Sequence, residues 1–235
     1  MKFVEFEIFS GKITDLYPVT GAEYITTINA HAYVVALGDK LFSDALVNGK
    51  AIFPDGISIS WAHLLLQKRW IKKISGYDVM LGLLEVANKE KLRVCYYGST
   101  RTTLEKIEKR ISLEYPNIEL SLCDPGIRKE ASQFIDDELI GLAESNEIIF
   151  IGLTAPKQEK VAFLLTEKIK GVQILVVPVG AAFDFYAGTV KRSGKTWRVL
   201  GLEFLPRLLR EPKRLWRRTF ISGPRFLWSI LSQLI

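Results

Sequence analysis

Two hydrophobic rhythms alternate along the first 180 residues. Short, unbroken apolar runs rich in β-branched and aromatic residues occupy Tyr24 to Ile28, Ala51 to Phe53, Leu92 to Tyr97, Ile118 to Leu122, Glu147 to Leu153 and Gln173 to Val179. A run that does not alternate with polar residues predicts a strand covered on both faces. Between these runs, stretches such as Lys40 to Val47, Ile57 to Gln67, Thr102 to Leu113 and Gln158 to Lys170 repeat apolar residues at helical spacing. Strand and helix in turn predict an α/β chain, a Rossmann-like and mostly parallel sheet with helices on both faces. No internal repeat, low-complexity segment or flexible linker interrupts the pattern.

The rhythm changes near Gly188 to Gly194, where a greasy, basic segment begins. Pro212 suits the first turn of a helix, and Ser222-Gly223-Pro224 predicts its stop about three turns later. On a helical wheel, Lys213, Arg214, Arg217 and Arg218 share an arc of about 140°, with Leu215, Trp216, Thr219 and Phe220 opposite. Such a helix suits the headgroup region of an anionic membrane through residues 200–235. It also suits a terminal helix docked on its own domain with a solvated basic face, and a nucleic-acid contact is a weaker third reading. The chain divides into a catalytic α/β domain over 1–190 and a C-terminal appendage over 191–235.

Charge sharpens that division. From Lys191 to Ile235 there are eleven Lys or Arg against two acids, a net of +9, which leaves 21 basic and 24 acidic residues before it. A slightly acidic body without a recognised reading module argues against nucleic acid as the partner. The N-terminus carries acids where a signal peptide needs an apolar core, and no apolar run reaches spanning length. A cytoplasmic protein, peripheral on the inner face of the cell membrane, is expected. Cys95 and Cys123 read as small buried hydrophobes.

Polar and glycine-bearing residues collect just after the predicted strands, where the carboxyl ends of parallel strands form a ligand-binding rim. Thr27 and Asn29 close the first strand, Pro54-Asp55-Gly56 the second, Gly98 the third, Gly152 through Glu159 the fifth and Gly180 through Gly188 the last. Asp55 is placed either to act as a general base or to cap the helix starting near Ile57. Lys157 and Gln158 open a helix whose first amides suit a phosphate, although they and Glu159 also suit an ordinary first turn. No GxGxxG or GxxxxGK[ST] is present, which disfavours dehydrogenase and P-loop readings. His31 and His63 have no partner at metal spacing, and no Asp-x-Asp is present to hold a magnesium diphosphate. No metal or other cofactor is expected. A bound diphosphate would then need cations, from Lys73, Lys191, Arg192 and the tail, with Arg207, Arg214 and Arg217 foremost. A tail that closes over the rim would supply them, so loss of residues 200–235 is expected to abolish activity and leave a folded body.

Six segments in order carry a resemblance: Thr27-Ile28-Asn29-Ala30, Phe53-Pro54-Asp55-Gly56-Ile57, Gly76-Tyr77-Asp78, Ala155-Pro156-Lys157-Gln158-Glu159-Lys160, Val179 to Gly188 including Asp184, and Leu202 to Arg218. Together they resemble the WecG/TagA/CpsF family of bacterial glycosyltransferases. The resemblance implies an inverting, metal-independent transferase. Such an enzyme moves an N-acetylmannosamine-type or N-acetylmannosaminuronate-type sugar from a UDP-sugar to a polyprenyl-diphosphate-linked N-acetylglucosamine, for surface polysaccharide. By position it implies Asp55 as general base, Thr27 and Gln158 as active-site polar residues, and Arg207, Arg214 and Arg217 as appendage arginines. Asn29, Gly56, Lys73, Asp78, Gly98, Lys157, Glu159, Gly180 and Asp184 complete the expected substrate-binding set. Lys73 stands where many members have Arg, which removes a bidentate phosphate grip. Thr154 replaces a common glycine, and Cys123-Asp124-Pro125-Gly126-Ile127 lacks the Gly-Tyr-Phe of many relatives. The rival reading is a non-catalytic, nucleotide-binding scaffold on the membrane. Oligomeric state is not legible in the sequence.

Overall fold

The structure, a computed structural model, describes residues 3–194, 197, 208 and 212–234, without the side chains of Val4 and Arg214. The six apolar runs become β1 (Ala22–Ile28), β2 (Ala51–Pro54), β3 (Arg93–Gly98), β4 (Glu119–Cys123), β5 (Ile148–Gly152) and β6 (Ile174–Pro178). They form one sheet in the order β2-β1-β6-β5-β3-β4, and every pairing is parallel. Alternate side chains of the central strands enter different cores. Val94, Tyr96, Ile148, Phe150, Leu175 and Val177 join one apolar cluster, while Cys95, Tyr97, Ile149, Ile151, Ile174 and Val176 join another. Burial on both faces is why these strands read as unbroken apolar runs.

On the first face lie α4 (Gly76–Glu90), α5 (Arg101–Glu114) and α8 (Ala182–Ala187); on the second lie α6 (Asp137–Ser145) and α7 (Lys157–Lys168). Five helices start on a side-chain cap that satisfies an otherwise orphaned amide. Asn29 caps α1 (Ala30–Ala36), Asp39 caps α2 (Lys40–Val47), Thr100 caps α5 and Asp136 caps α6. Ser75 and Asp78 form a capping box on α4. Lys160 of α7 donates to Asp39 at 2.6 Å, which ties α7 to the start of α2.

A third apolar cluster fills the β2 end of the molecule. There α1, α2 and α3 (Ile57–Gln67) meet Phe3, Phe6 and the C-terminal helices. The tail forms α9 (Pro212–Trp216), a widened π-turn over Arg217–Ser222, and α10 (Gly223–Leu231). The predicted stop at Ser222-Gly223-Pro224 is therefore corrected. Pro224 falls in the first turn of α10, where its missing N–H costs nothing, and the π-turn before it absorbs the change of register.

Phe226 and Ile230 are buried in the third cluster, and Phe226 meets Tyr33 edge-on with ring centroids 5.4 Å apart. Polar contacts lock the same seam: Tyr33 Oη lies 3.0 Å from Ser229 Oγ, and the Phe3 amide donates to Gln233 Oε1 at 2.7 Å. The tail thus docks on the body. Its outer face still exposes Trp216, Phe220, Leu227 and Trp228. The single apolar arc of the wheel is split, with Leu215 buried and Trp216 stacked outside on Phe220 at 4.5 Å. Among the described residues, no helix is long and apolar enough to cross a membrane.

Candidate active site

Because all six strands are parallel, the loops after β2, β1, β6 and β5 open on one edge in that spatial order. Neighbouring strands lie about 4.8 Å apart, so these four loops span roughly 15 Å. The registers Ile28 to Pro54, Ile151 to Pro178 and Gly98 to Gly152 bring the strand ends level. Thr27, Asn29, Asp55, Gly98, Gln158 and Gly180 therefore share this rim.

Asp55 is held by its backbone. Its amide donates to the Ile28 carbonyl at 2.8 Å, and the preceding Pro54 carbonyl accepts from Ile74. The side chain is half-buried. Gly56 follows with φ +155° and ψ 140°, a conformation essentially reserved for glycine. The cap position of α3 falls on Gly56 and not on Asp55. Beside them, Thr27 is half-buried opposite Phe53, and the Asn29 side chain accepts from the Ala32 amide at 3.0 Å. Asn29 thus spends its oxygen on α1 and keeps its amide hydrogens for the rim.

Gln158 and Glu159 are buried in the first turn of α7. Gln158 Nε2 donates to Glu159 Oε1 at 2.8 Å, leaving Gln158 Oε1 and Glu159 Oε2 as buried oxygens without a hydrogen bond. An ionised carboxylate only accepts, so it fixes which end of the Gln158 amide it meets. The Gln158 oxygen then faces Gly180, where a Cβ would lie 3.2 Å from it; Gly180, at φ +53°, leaves the approach open. Burial raises the Glu159 pKa to about 7, against the pull of the Gln158 amide, its own backbone amide and Arg218. The Lys157 amide is already bonded to Thr154. The first turn of α7 therefore serves its own carboxylate more than a phosphate.

The other expected residues divide by what they touch. Lys157 donates to the Arg128 carbonyl and lies over the Phe134 ring, so it braces the segment before α6. Asp78 completes the Ser75 capping box and pairs with Arg192 at 3.4 Å. Burial works against ionised Asp78, but the Ser75 hydroxyl and amide and Arg192 outweigh it and lower the pKa. Arg192 also stacks on Tyr77 at 4.4 Å, clamping the start of the appendage to α4. Asp184 accepts from Thr189 Oγ1 at 3.2 Å, Gly98 packs on the Gly152 carbonyl, and Lys73 is half-buried between α3 and α4. Arg207 and the Arg214 side chain lie outside the described residues, and Arg217 is exposed.

Arg218, which the wheel grouped with the solvated basic face and which is not among the foremost expected arginines, has a charge that reaches both Glu159 and His31. The π-turn leaves it half-buried while its neighbour points outward. His31 Nδ1 lies 2.8 Å from Ser222 Oγ, so this histidine joins α1 to the tail, and burial followed by Arg218 lowers its pKa. Where the tail leaves α1, a groove of about 720 Å³ opens, lined by Val34, Leu37, Pro224, Arg225 and Trp228. A smaller cavity of about 340 Å³ lies beside Ala22 at the opposite, amino end of β1.

The rim, its carboxylate and the docked basic tail frame the comparison with known proteins. Residues 5–235 match the glycosyl transferase WecG/TagA/CpsF family. The chain belongs to that family, and it is a glycosyltransferase. It is 31% identical over 211 residues to the N-acetylglucosaminyldiphosphoundecaprenol N-acetyl-beta-D-mannosaminyltransferase of Bacillus subtilis, covering 89% of this chain and 79% of that one. Proteins of the same name from Bacillus spizizenii and Staphylococcus aureus are 29% and 25% identical, each over 88% of this chain and 78% and 79% of theirs. For this WecG/TagA/CpsF glycosyltransferase, the matched span takes in both the rim and the docked tail.

Proposed function

We propose that this glycosyltransferase moves an N-acetylmannosamine-type sugar from a UDP-sugar to a polyprenyl-diphosphate-linked N-acetylglucosamine on the inner face of the cell membrane. The relatives' names support the sugar and the acceptor. The backbone-locked Asp55 at the rim is the observation that carries the mechanism. Its carboxylate takes the proton from the acceptor hydroxyl as that oxygen attacks the anomeric carbon opposite the leaving group. The bond to UDP breaks with inversion, and its electron pair passes to the diphosphate. No metal is assigned to this step. Arg218, with Arg207, Arg214 and Arg217, is assigned to the growing charge, and Lys73 to the diphosphate. Gln158, oriented by Glu159, offers an acceptor oxygen to an N–H or O–H of the bound substrates; Thr27, Asn29 and Gly180 line the approach.

The membrane part of the proposal rests on the exposed Trp216, Phe220, Leu227 and Trp228 beside tail arginines. The test is UDP release by the full chain from a panel of UDP-sugars, with and without lipid-linked N-acetylglucosamine, in detergent and EDTA. Release that needs the acceptor and survives EDTA is expected. Release independent of the acceptor, or none from any donor, overturns the assignment.

A further inference from the structure

Beyond the tail, α3 and the segment after it form a second surface with membrane chemistry. Trp61, Leu65 and Trp70 are 54%, 39% and 47% exposed. The two indoles meet edge to face, with centroids 5.3 Å apart and planes at 78°. Lys68, Arg69, Lys72 and Lys73 flank Trp70 in the chain, Lys68, Arg69 and Lys72 are exposed, and no acidic residue occurs between Asp55 and Asp78.

The surface is built, not loose. Lys68 turns left-handed at φ 56° to end α3. Buried His63 places its Nδ1 2.6 Å from the Arg69 carbonyl, which folds the chain back so that Trp70 reaches Trp61. Buried Ile71 anchors the next residue, and Ile74 bonds to Pro54, one residue from Asp55. On its inner side α3 contributes Ile59 and Ala62 to the cluster that also holds Phe226 and Ile230 of α10. The tail and the α3 surface thus flank one core.

We propose that this α3 surface is a second membrane contact, seated on anionic bilayer and placing the Asp55 rim at the lipid surface. Charge complementarity selects the occupant. Indoles and cations together match an anionic headgroup layer, where each cation contributes about fivefold in partition. A sugar platform would need flat, accessible faces and carboxylates or amides for hydroxyls, whereas these rings cross and the charged residues of their own segment are cations. The contact extends the membrane reading from the tail to the body, and vesicle binding does not depend on the reaction assigned above.

The experiment is flotation of the full chain with phosphatidylglycerol-containing and purely zwitterionic vesicles. Trp61→Ser/Trp70→Ser and Lys68→Glu/Lys72→Glu are each expected to lower partition onto the anionic vesicles at least tenfold, with turnover on a water-soluble short-chain acceptor unchanged. In Trp197→Phe/Trp216→Phe/Trp228→Phe, only Trp61 and Trp70 emit, and brominated anionic lipid is expected to quench them. Partition within twofold of wild type, or no quenching, overturns the proposal. So does self-association lost in the α3 variants without a change in vesicle binding, which assigns the surface to a second copy. Quenching by soluble N-acetylglucosamine oligomers without vesicles assigns it to carbohydrate and overturns it as well. Trp216→Ser/Trp228→Ser reports on the tail alone; if it binds as wild type while the α3 variants do not, the tail reading fails and the α3 contact stands.

Discussion

At the scale of residues, two carboxylates near the rim have opposite settings. Asp55 is half-buried on a locked backbone, and Asp55→Asn is expected to keep the fold and lose turnover by on the order of 10² or more, read as UDP release with a lipid-linked acceptor. Retention above about a tenth of the wild-type rate removes it as the base. Glu159 is fully buried, with its pKa raised from 4.5 to about 7. A raised carboxyl pKa means that the unfolded chain gives up this proton first, so the group favours unfolding as pH rises from about 4.5 through 7. The penalty above pH 7 is on the order of 3 kcal/mol. Glu159→Gln is therefore expected to melt higher than wild type at pH 8 and to lose that advantage near pH 5, in paired thermal melts. It also permits the Gln158 amide to turn over, so a rise in donor KM at neutral pH is expected alongside the stability gain. Arg218→Ala should lower turnover 10-fold or more with little change in melting, since its charge faces His31 and Glu159 from a half-buried position. The helical wheel put Arg217 and Arg218 on one solvated face because it assumed 100° per residue, which the π-turn does not keep.

At the scale of elements, the strands were legible because burial on both faces needs long apolar runs, and their ends fell within two residues of expectation. Lys40–Val47 and Ile57–Gln67 match the observed α2 and α3 outright. The failure at Ser222-Gly223-Pro224 has a physical cause: proline and glycine stop an isolated helix, but packing of Phe226 and Ile230 on the third cluster outweighs that local preference. Close approach between elements is equally invisible in one dimension. A Cβ at Gly152 would lie 2.3 Å from the Phe183 ring, where β5 meets α8. Gly152→Ala is expected to destabilise by about 1–3 kcal/mol or more, read by denaturant unfolding.

At the scale of the whole molecule, the tail is both appendage and core. Removal of residues 200–235 was expected to leave the body intact, yet α10 buries Phe226 and Ile230 against Tyr33 and Phe3. Truncation should therefore cost roughly 3–6 kcal/mol at 1.5–3 per buried side chain, seen as a lowered melting temperature, besides any loss of turnover. A truncated chain that melts as wild type refutes the docking. The sequence by itself determined the α/β class, the gathering of Thr27, Asp55, Gln158 and Gly180 at the strand ends, and the separation of a slightly acidic body from a basic tail, because periodicity, the succession of segments along the chain and charge are local properties. Only the tertiary structure decided that Asp78 and Lys157 brace neighbouring segments, that Glu159 orients Gln158, and that Arg218 is the described tail arginine turned inward. Those roles depend on which surfaces meet across more than a hundred residues, and burial at such a seam changes both a side chain's partners and its charge.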